Sequence, residues 1–263
     1  ILKKGAEVGP PEIALAATQG YGGLTVYRRP KVVVLSTGTE LVAPGTRDLS
    51  PGEIYDSNSF AMIAQARELG AETRRISAAS DDPDLIRDAL REALETADVL
   101  VTSGGVSVGE KDLVKGTMLD LGVRQIFWGV KFKPGKPLFF GVRGDVRLFG
   151  LPGNPVSAMV CFELFVRPAL VRMMGREDKK RPHIEVYFQE DVKNNFGRMH
   201  AMRVSLERTE KGWLARSVGA QGSGLISSLT KADALALIGP DSEGARAGEP
   251  VEAIVLREEV ILR

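Results

Sequence analysis

The 263-residue chain carries 35 basic against 34 acidic side chains, and at 43% hydrophobic it can bury the core of one large domain or two ordinary ones. A net charge of only +1 excludes a broad electrostatic footprint for nucleic acid or an anionic membrane surface and leaves only local anion sites. A single cysteine, Cys161, excludes a disulfide framework and fits a reducing, cytoplasmic compartment, while two histidines leave no Cys/His cluster for structural zinc.

No stretch approaches the roughly eighteen consecutive apolar residues of a membrane span, and the opening ILKKGAEVGPP lacks the layout of a secretion signal. The chain starts at Ile1, not at a methionine, which leads to the expectation of further sequence upstream. Residues 1–30 read as a connector, with Pro10-Pro11 and the cluster Gly20, Gly22, Gly23 punctuating a short helical pattern at 11–19.

The rhythm then changes. KVVVLS (31–36) is a buried-strand run, and SFAMIAQAREL (59–69) predicts an amphipathic helix capped by Ser57 or Asn58 and stopped by Gly70. The unit repeats with a strand at 72–77, a helix from the Asp81-Asp82-Pro83 cap to about Thr96, and a strand at 98–102. A helix follows from near Asp112 to near Gly122, then strands at 126–132, 138–142 and 146–149, then one long apolar helix over 155–174. Such alternation predicts an α/β domain with a mostly parallel sheet between helical layers, at about 31–175. Beyond GREDKKRP (175–182), alternating segments such as IEVYFQ, MRVSLERT, WLARSV and EAIVL predict a small all-β domain at 181–263.

Open α/β sheets bind ligands beyond the carboxyl ends of their strands. TSGGVSVGEKD (102–112) falls at such an end. It is not a P-loop, since Glu110 separates Gly109 from Lys111, but its glycines, the hydroxyls of Ser103 and Ser107 and the following helix N-terminus suit a phosphate. Lys111 and Lys115 are four apart and share a helix face if both are helical. KFKPGKP (131–137) stiffens Lys133 and Lys136 with Pro134 and Pro137, as an oxyanion holder or as a hairpin turn with exposed lysines. GLPGNP (150–155) joins a strand to a helix, with Asn154 as cap and Ser157 near the helix start. The acidic candidates near strand ends are Asp56 in IYDSN and Asp81 and Asp82 before Pro83; Asp56 is the better placed for magnesium, although capping also explains all three. Arg203 and the run QGSGLISSL (221–229) stand out weakly, and Arg198 and His200 read as satisfied structural residues.

Taken jointly, STGTEL (36–41), IYDSN (54–58), SGGVSVGEKD (103–112), KFKPGKP (131–137) and GLPGNPVSA (150–158) resemble the molybdenum-insertase family, which includes MoeA and the gephyrin E domain. The resemblance implies a three-layer molybdopterin-binding domain followed by a small β-barrel domain, with a further N-terminal half in family members from which residues 1–30 look like the returning connector. It implies molybdenum cofactor biosynthesis in the cytoplasm by a magnesium-dependent transferase acting as a homodimer. The implied substrates are adenylylated molybdopterin, supplied by a molybdopterin adenylyltransferase, and molybdate; AMP is released. By motif position, Lys133, Lys136, Arg203, Ser157 and Ser223 would hold molybdate. Ser103, Gly104, Gly105, Ser107, Gly109 and Asp112, with Lys111 and Lys115, would hold pterin phosphate or pyrophosphate. Pro134, Pro137, Pro152, Gly153 and Asn154 complete the implied substrate-binding set, and Asp56 and Asp82 the implied magnesium ligands. Two alternatives share these motifs: a non-catalytic scaffold of the gephyrin type, and a related adenylyl-transferring or nucleotide-hydrolysing enzyme.

Overall fold

The computed structural model describes residues 2–78, 82–105, 113–176, 180–194 and 197–262. Helix α1 (Pro10–Thr18) lies in the leading segment. Then follow β1 (Lys31–Thr37), β2 (Leu41–Val42), β3 (Ile54–Tyr55), α2 (Asn58–Glu68), β4 (Glu72–Ala78), α3 (Pro83–Thr96), β5 (Val99–Ser103), α4 (Leu113–Asp120), β6 (Arg124–Trp128), β7 (Phe132–Lys133), β8 (Phe139–Arg143) and β9 (Val146–Leu151). Helix α5 (Pro155–Cys161) continues through a π-helical segment, Phe162–Val166, into α6 (Arg167–Met173). The predicted single helix over 155–174 is therefore interrupted by a wider turn, in the manner of the π-bulges found inside α-helices.

The first sheet has the order β4-β1-β5-β9-β8-β6, parallel from β4 to β9 and antiparallel at β8 and β6. Its central strands are apolar on both faces because both are covered. Val32, Val34, Val99 and Val101 pack with Met62 and Ala66 of α2 and with Ala158, Phe162 and Leu170 of the α5–α6 helix. Val33, Leu35 and Leu100 pack with Ile86, Leu90 and Leu94 of α3 and with Val114 and Met118 of α4. The α3 stripe buries Ile86, Leu90, Ala93 and Leu94, and the Asp82 carboxylate caps the helix by accepting the Asp84 N–H at 2.9 Å. Truncating Leu90 to alanine would cost about 2–5 kcal/mol at so closed a position.

The second sheet is built from β10 (His183–Phe188), β12 (Met199–Thr209), β13 (Gly212–Ser217), β14 (Ala234–Ile238) and β16 (Pro250–Val255), with small β11 (Val192–Lys193), α7 (Ser227–Thr230) and β15 (Gly244–Ala245) between them. The order β13-β10-β16-β14-β12 closes through the β12–β13 pairing into a five-stranded barrel. Its interior holds Val186, Phe188, Met202, Val204, Ala236 and Ala253.

The strand expected over 126–132 is two strands. β6 stays in the first sheet, whereas β7 crosses to the barrel and pairs with β12, Phe132 opposite Met199 and Lys133 opposite His200. A second bond between the units is apolar: Val156 and Val160 of α5 pack with Ala201, Leu235 and Ile254 of the barrel. No helix among the described residues is long and apolar enough to cross a membrane.

Candidate functional site

β1, β5 and β9 end at one level, Ser36 beside Ser103 and Ser103 beside Leu151, so the loops that follow them share one rim. Gly104 and Gly105 turn the β5 loop with φ of +82° and +66°, and a Cβ on Gly105 would lie 2.4 Å from Val114 Cγ2, so only glycine fits that turn. Gly104 N–H donates to the Leu151 carbonyl at 3.1 Å. A Cβ on Gly153 would stand 3.8 Å from the Gly104 Cα, which brings the 103–105 and 152–154 loops into van der Waals contact.

Asn58 ties these loops together. Its Nδ2 donates to Ser103 Oγ at 2.8 Å and to the Gly153 carbonyl at 2.7 Å, while its buried Oδ1 has no hydrogen-bond partner among the described residues. Ser36 Oγ and Thr102 Oγ1, at the ends of β1 and β5, are likewise buried and unpaired among the described residues. Buried polar atoms are rarely left unpaired, so their concentration at one rim marks a place where a polar ligand or ordered water completes the bonding. Neither the capping role expected for Asn58 nor that for Ser57 is observed. Asp56 takes it, accepting the Ser59 N–H at 3.0 Å and the Ser59 hydroxyl at 2.5 Å.

That commitment bears on magnesium. The Asp56 side chain is 4% exposed, both its oxygens are engaged, and Arg75 Nη1 lies 3.8 Å from Oδ2 with its guanidinium over the Phe60 ring. Asp82 is held at the start of α3. Among the described residues no group of three His, Cys, Asp or Glu side chains gathers around a point where a metal could be held. The two carboxylates do not make a magnesium site by themselves.

Of the glycine-loop residues, Ser103, Gly104 and Gly105 lie at the rim as described. Ser107, Gly109, Lys111 and Asp112, together with Asp81, lie outside the described residues. Lys115 is on α4, its ammonium 4.2 Å from the centre of the Trp128 ring on β6, a cation–π contact.

The lysine and proline loop packs against α5. Pro134 and Gly135 are buried, Lys136 is exposed, Lys133 and Pro137 are intermediate, and the Lys133–Pro134 peptide is cis. Val130 N–H donates to the Lys136 carbonyl at 2.9 Å and closes the turn. Gly135 has φ +116°, and a Cβ there would lie 2.2 Å from Cys161 Sγ. Cys161 donates weakly to the Gly135 carbonyl at 3.9 Å, and burial pushes its thiol up to about 12, so it is a packing residue and not a nucleophile. Neither Lys133 nor Lys136 has an ion-pair partner among the described residues.

The third wall comes from the barrel. Asn154 does not cap α5 with its side chain, as the sequence suggests. Its Nδ2 donates instead to Ser223 Oγ at 3.0 Å, and the Val156 N–H in the first turn donates to the Ser223 carbonyl at 3.0 Å. Ser157 follows, 4% exposed. Arg203 on β12 is 0% exposed, and its Nη2 makes only long bonds to the carbonyls of Gly222, 3.3 Å, and Ala220, 3.5 Å. Among the described residues its Nε has no partner and no carboxylate faces it, and burial lowers its pKa. Gln221, the first residue of the weakly marked run 221–229, fixes this loop by accepting the Arg203 N–H at 3.0 Å and donating to the Arg203 carbonyl at 3.1 Å.

His200 is a correction of a different kind. It is buried but not satisfied: Nδ1 has no partner among the described residues, and the ring is held neutral with a pKa pushed down to about 4, by burial first and then by the charges of Lys133, Arg203 and Arg198. Three cations therefore act on one small region where β7 meets β12.

Backbone amides, hydroxyls and cations without carboxylate partners among the described residues gather where a doubly covered α/β sheet meets a barrel, an arrangement of the class suited to an anionic small molecule. Residues 33–172 match the family described as "Probable molybdopterin binding domain", and 185–256 match "MoeA C-terminal region (domain IV)". The chain is 36% identical over 253 residues to the molybdopterin molybdenumtransferase of Haemophilus influenzae, covering 95% of this chain and 62% of that protein. It is 35% identical over 261 residues to the protein of the same name from Bacillus subtilis, covering 98% and 60%. A crystal structure of a molybdopterin biosynthesis MoeA protein from Pyrococcus horikoshii superposes with a TM-score of 0.78 at 34% identity, over 97% of this chain and 61% of that one. The chain belongs to the molybdopterin-binding domain family and carries that domain together with the MoeA C-terminal region. It spans about three fifths of the length of these relatives.

Proposed function

We propose that this chain forms the substrate-binding part of an enzyme of molybdenum cofactor biosynthesis, a transferase that inserts molybdenum from molybdate into adenylylated molybdopterin with release of AMP. The observation that carries the reading is Arg203: a fully buried guanidinium with no carboxylate among the described residues, beside the joint of Asn154 and Ser223. Leaving such a charge uncompensated is costly, and an oxyanion that enters the crevice supplies the missing counter-charge. Relatives named molybdopterin molybdenumtransferases support the choice of molybdate and a pterin nucleotide among anions.

In this reading Arg203, Lys133 and Lys136 supply positive charge to a tetrahedral dianion, and the Ser157 and Ser223 hydroxyls donate to its oxygens. Gly104 and Gly105 let the backbone approach the pterin phosphates, with Asn58 holding their loop against that of Gly153. Catalysis then consists of positioning and fixed electrostatics, with no side-chain nucleophile. Magnesium, which favours one or two carboxylates with substrate phosphates and water, would here be carried chiefly by the substrate phosphates. A homodimer working in the cytoplasm downstream of a molybdopterin adenylyltransferase completes the proposal.

Lys136→Ala tests it. The reading expects molybdate-dependent AMP release to fall far more than affinity for the adenylylated pterin. Equal loss of both would contradict the assignment of Lys136 to the oxyanion.

A further inference from the structure

The helix that begins at the Asn154–Ser223 joint carries, about 13 Å further along at a rise of 1.5 Å per residue, an ion cluster with a largely buried centre and a half-exposed rim at Glu68, to which the proposed reaction assigns no role. Glu163, in the π-helical segment and 9% exposed, accepts from Arg181 through Nε at 3.0 Å and Nη2 at 3.3 Å, and from Gln65 Nε2 at 3.0 Å. Arg167, 5% exposed, brings Nε to 3.8 Å from Glu163 and Nη1 to 3.4 Å from Glu68, which also meets Arg181 Nη2 at 3.2 Å. Burial works against the Arg181 charge, yet its bond to Glu163 and the nearby Glu68 and Glu258 hold its pKa above the ordinary value.

These partners come from different domains. Gln65 and Glu68 belong to α2, and Glu163 and Arg167 to the α5–α6 helix. Arg181 belongs with the barrel, because the next residue, Pro182, accepts the Val255 N–H of β16 at 2.9 Å. Beside the cluster lies a cavity of about 190 Å³ bounded by Gln65, Glu163 and Arg181 on one side and Leu229, Leu235 and Leu256 on the other. The β7–β12 pairing, the bonds of Asn154 and Val156 to Ser223 and the apolar patch around Val156, Val160 and Leu235 join the same two units, and the ion cluster adds a polar tie from the barrel to α2 and the α5–α6 helix. A buried ion pair adds little net stability compared with apolar packing, and its best-attested use is to fix register.

We propose that the Glu163–Arg181 pair is a positioning clamp that fixes the angle between barrel and α/β domain and thereby keeps Arg203 and Ser223 in register with Asn154 and Ser157. The link to binding rests on the oxyanion reading above; the clamp itself does not.

Glu163→Gln tests it with two readouts. Spin labels at Glu95→Cys on α3 and Lys211→Cys in the β12–β13 turn report the interdomain distance, since the native Cys161 is buried and stays unlabelled. Calorimetry with molybdate and, separately, with the adenylylated pterin reports the site. The clamp predicts a broadened distance distribution and molybdate binding weakened about tenfold or more, as expected of a displaced binding geometry, with pterin binding unchanged. Arg181→Lys, which keeps the charge, should recover most of the narrow distribution. A core variant on the far face, Ile86→Val, chosen to lower the melting temperature equally, should change neither readout. A distance distribution as narrow as the parent's overturns the clamp. Broadening with molybdate affinity unchanged overturns the link to the site. If the parent protein binds no molybdate, the oxyanion reading fails, and the distance distribution alone decides whether the clamp stands.

Discussion

The Asn154 carboxamide donates to the Ser223 hydroxyl at 3.0 Å, joining residues 69 positions apart and tying the α/β rim to the barrel beside the first turn of α5. The adjoining bond from Val156 N–H to the Ser223 carbonyl is main-chain and survives a side-chain change. Asn154→Ala should therefore cost only about 1 kcal/mol of stability, the worth of one hydrogen bond, but lower oxyanion affinity by disordering the Ser223 hydroxyl. Denaturant midpoints and titration with molybdate check both. The double variant with Ser223→Ala should lose less stability than the sum of the singles, because each single already removes the shared bond.

Arg203 should behave as a residue kept at the expense of stability. Arg203→Met replaces a buried charge facing only carbonyls with an apolar chain of similar length, and the melting temperature should hold or rise. Molybdate binding should fall at least about tenfold, the loss of one charge-assisted bond. A marked fall in melting temperature would show instead that the guanidinium is structural.

His200 predicts a pH dependence. Its folded pKa of about 4 lies below the ordinary 6.5, so the unfolded chain binds the extra proton first as pH falls. The contribution is fully present above pH 6.5 and is lost as the pH drops through 4, up to about 3 kcal/mol in all. Urea unfolding at pH 7 and pH 4.5 should show the loss, and His200→Gln should flatten it.

At Gly135, alanine is excluded twice, by φ +116° and by the 2.2 Å approach of a Cβ to Cys161 Sγ. Gly135→Ala should destabilise by about 2 kcal/mol or more and shift Lys133 and Lys136. Adding Cys161→Ala should restore the part due to the clash and leave the part due to the backbone. Chemical unfolding of the three variants separates the two.

The layer architecture was legible in the sequence because its causes are local. Val32 to Leu35 are apolar on both faces, and Ile86, Leu90 and Leu94 follow a helical period, so buried strands and an amphipathic helix could be read directly. The route of β7 was not legible, since two residues whose hydrogen bonds go to another sheet carry no periodic signal. Nor was the interruption at Phe162–Val166, because the apolar pattern runs through it unbroken. Candidate site residues in motifs, such as Gly104, Gly153 and Lys133, are legible because glycine, proline and lysine spacing is local. Their partners are harder to read: the sequence offers Asn58 as a cap, His200 as a satisfied structural residue, and Gln221 only as part of a weakly marked run. Asn58 and Gln221 owe their roles to contacts 18 to 95 residues away, which only the folded chain brings together.

The central claim is that Lys133, Lys136 and Arg203 meet the Ser157 and Ser223 hydroxyls around one tetrahedral oxyanion between the domains. Crystals soaked with tungstate, whose anomalous scattering locates it without ambiguity, test this most directly. The account predicts one dominant peak in the crevice bounded by the KPGKP turn, the first turn of α5 and the loop at Gly222, and its loss in Arg203→Met crystals. A dominant peak elsewhere, or one that persists unchanged in that variant, would contradict it.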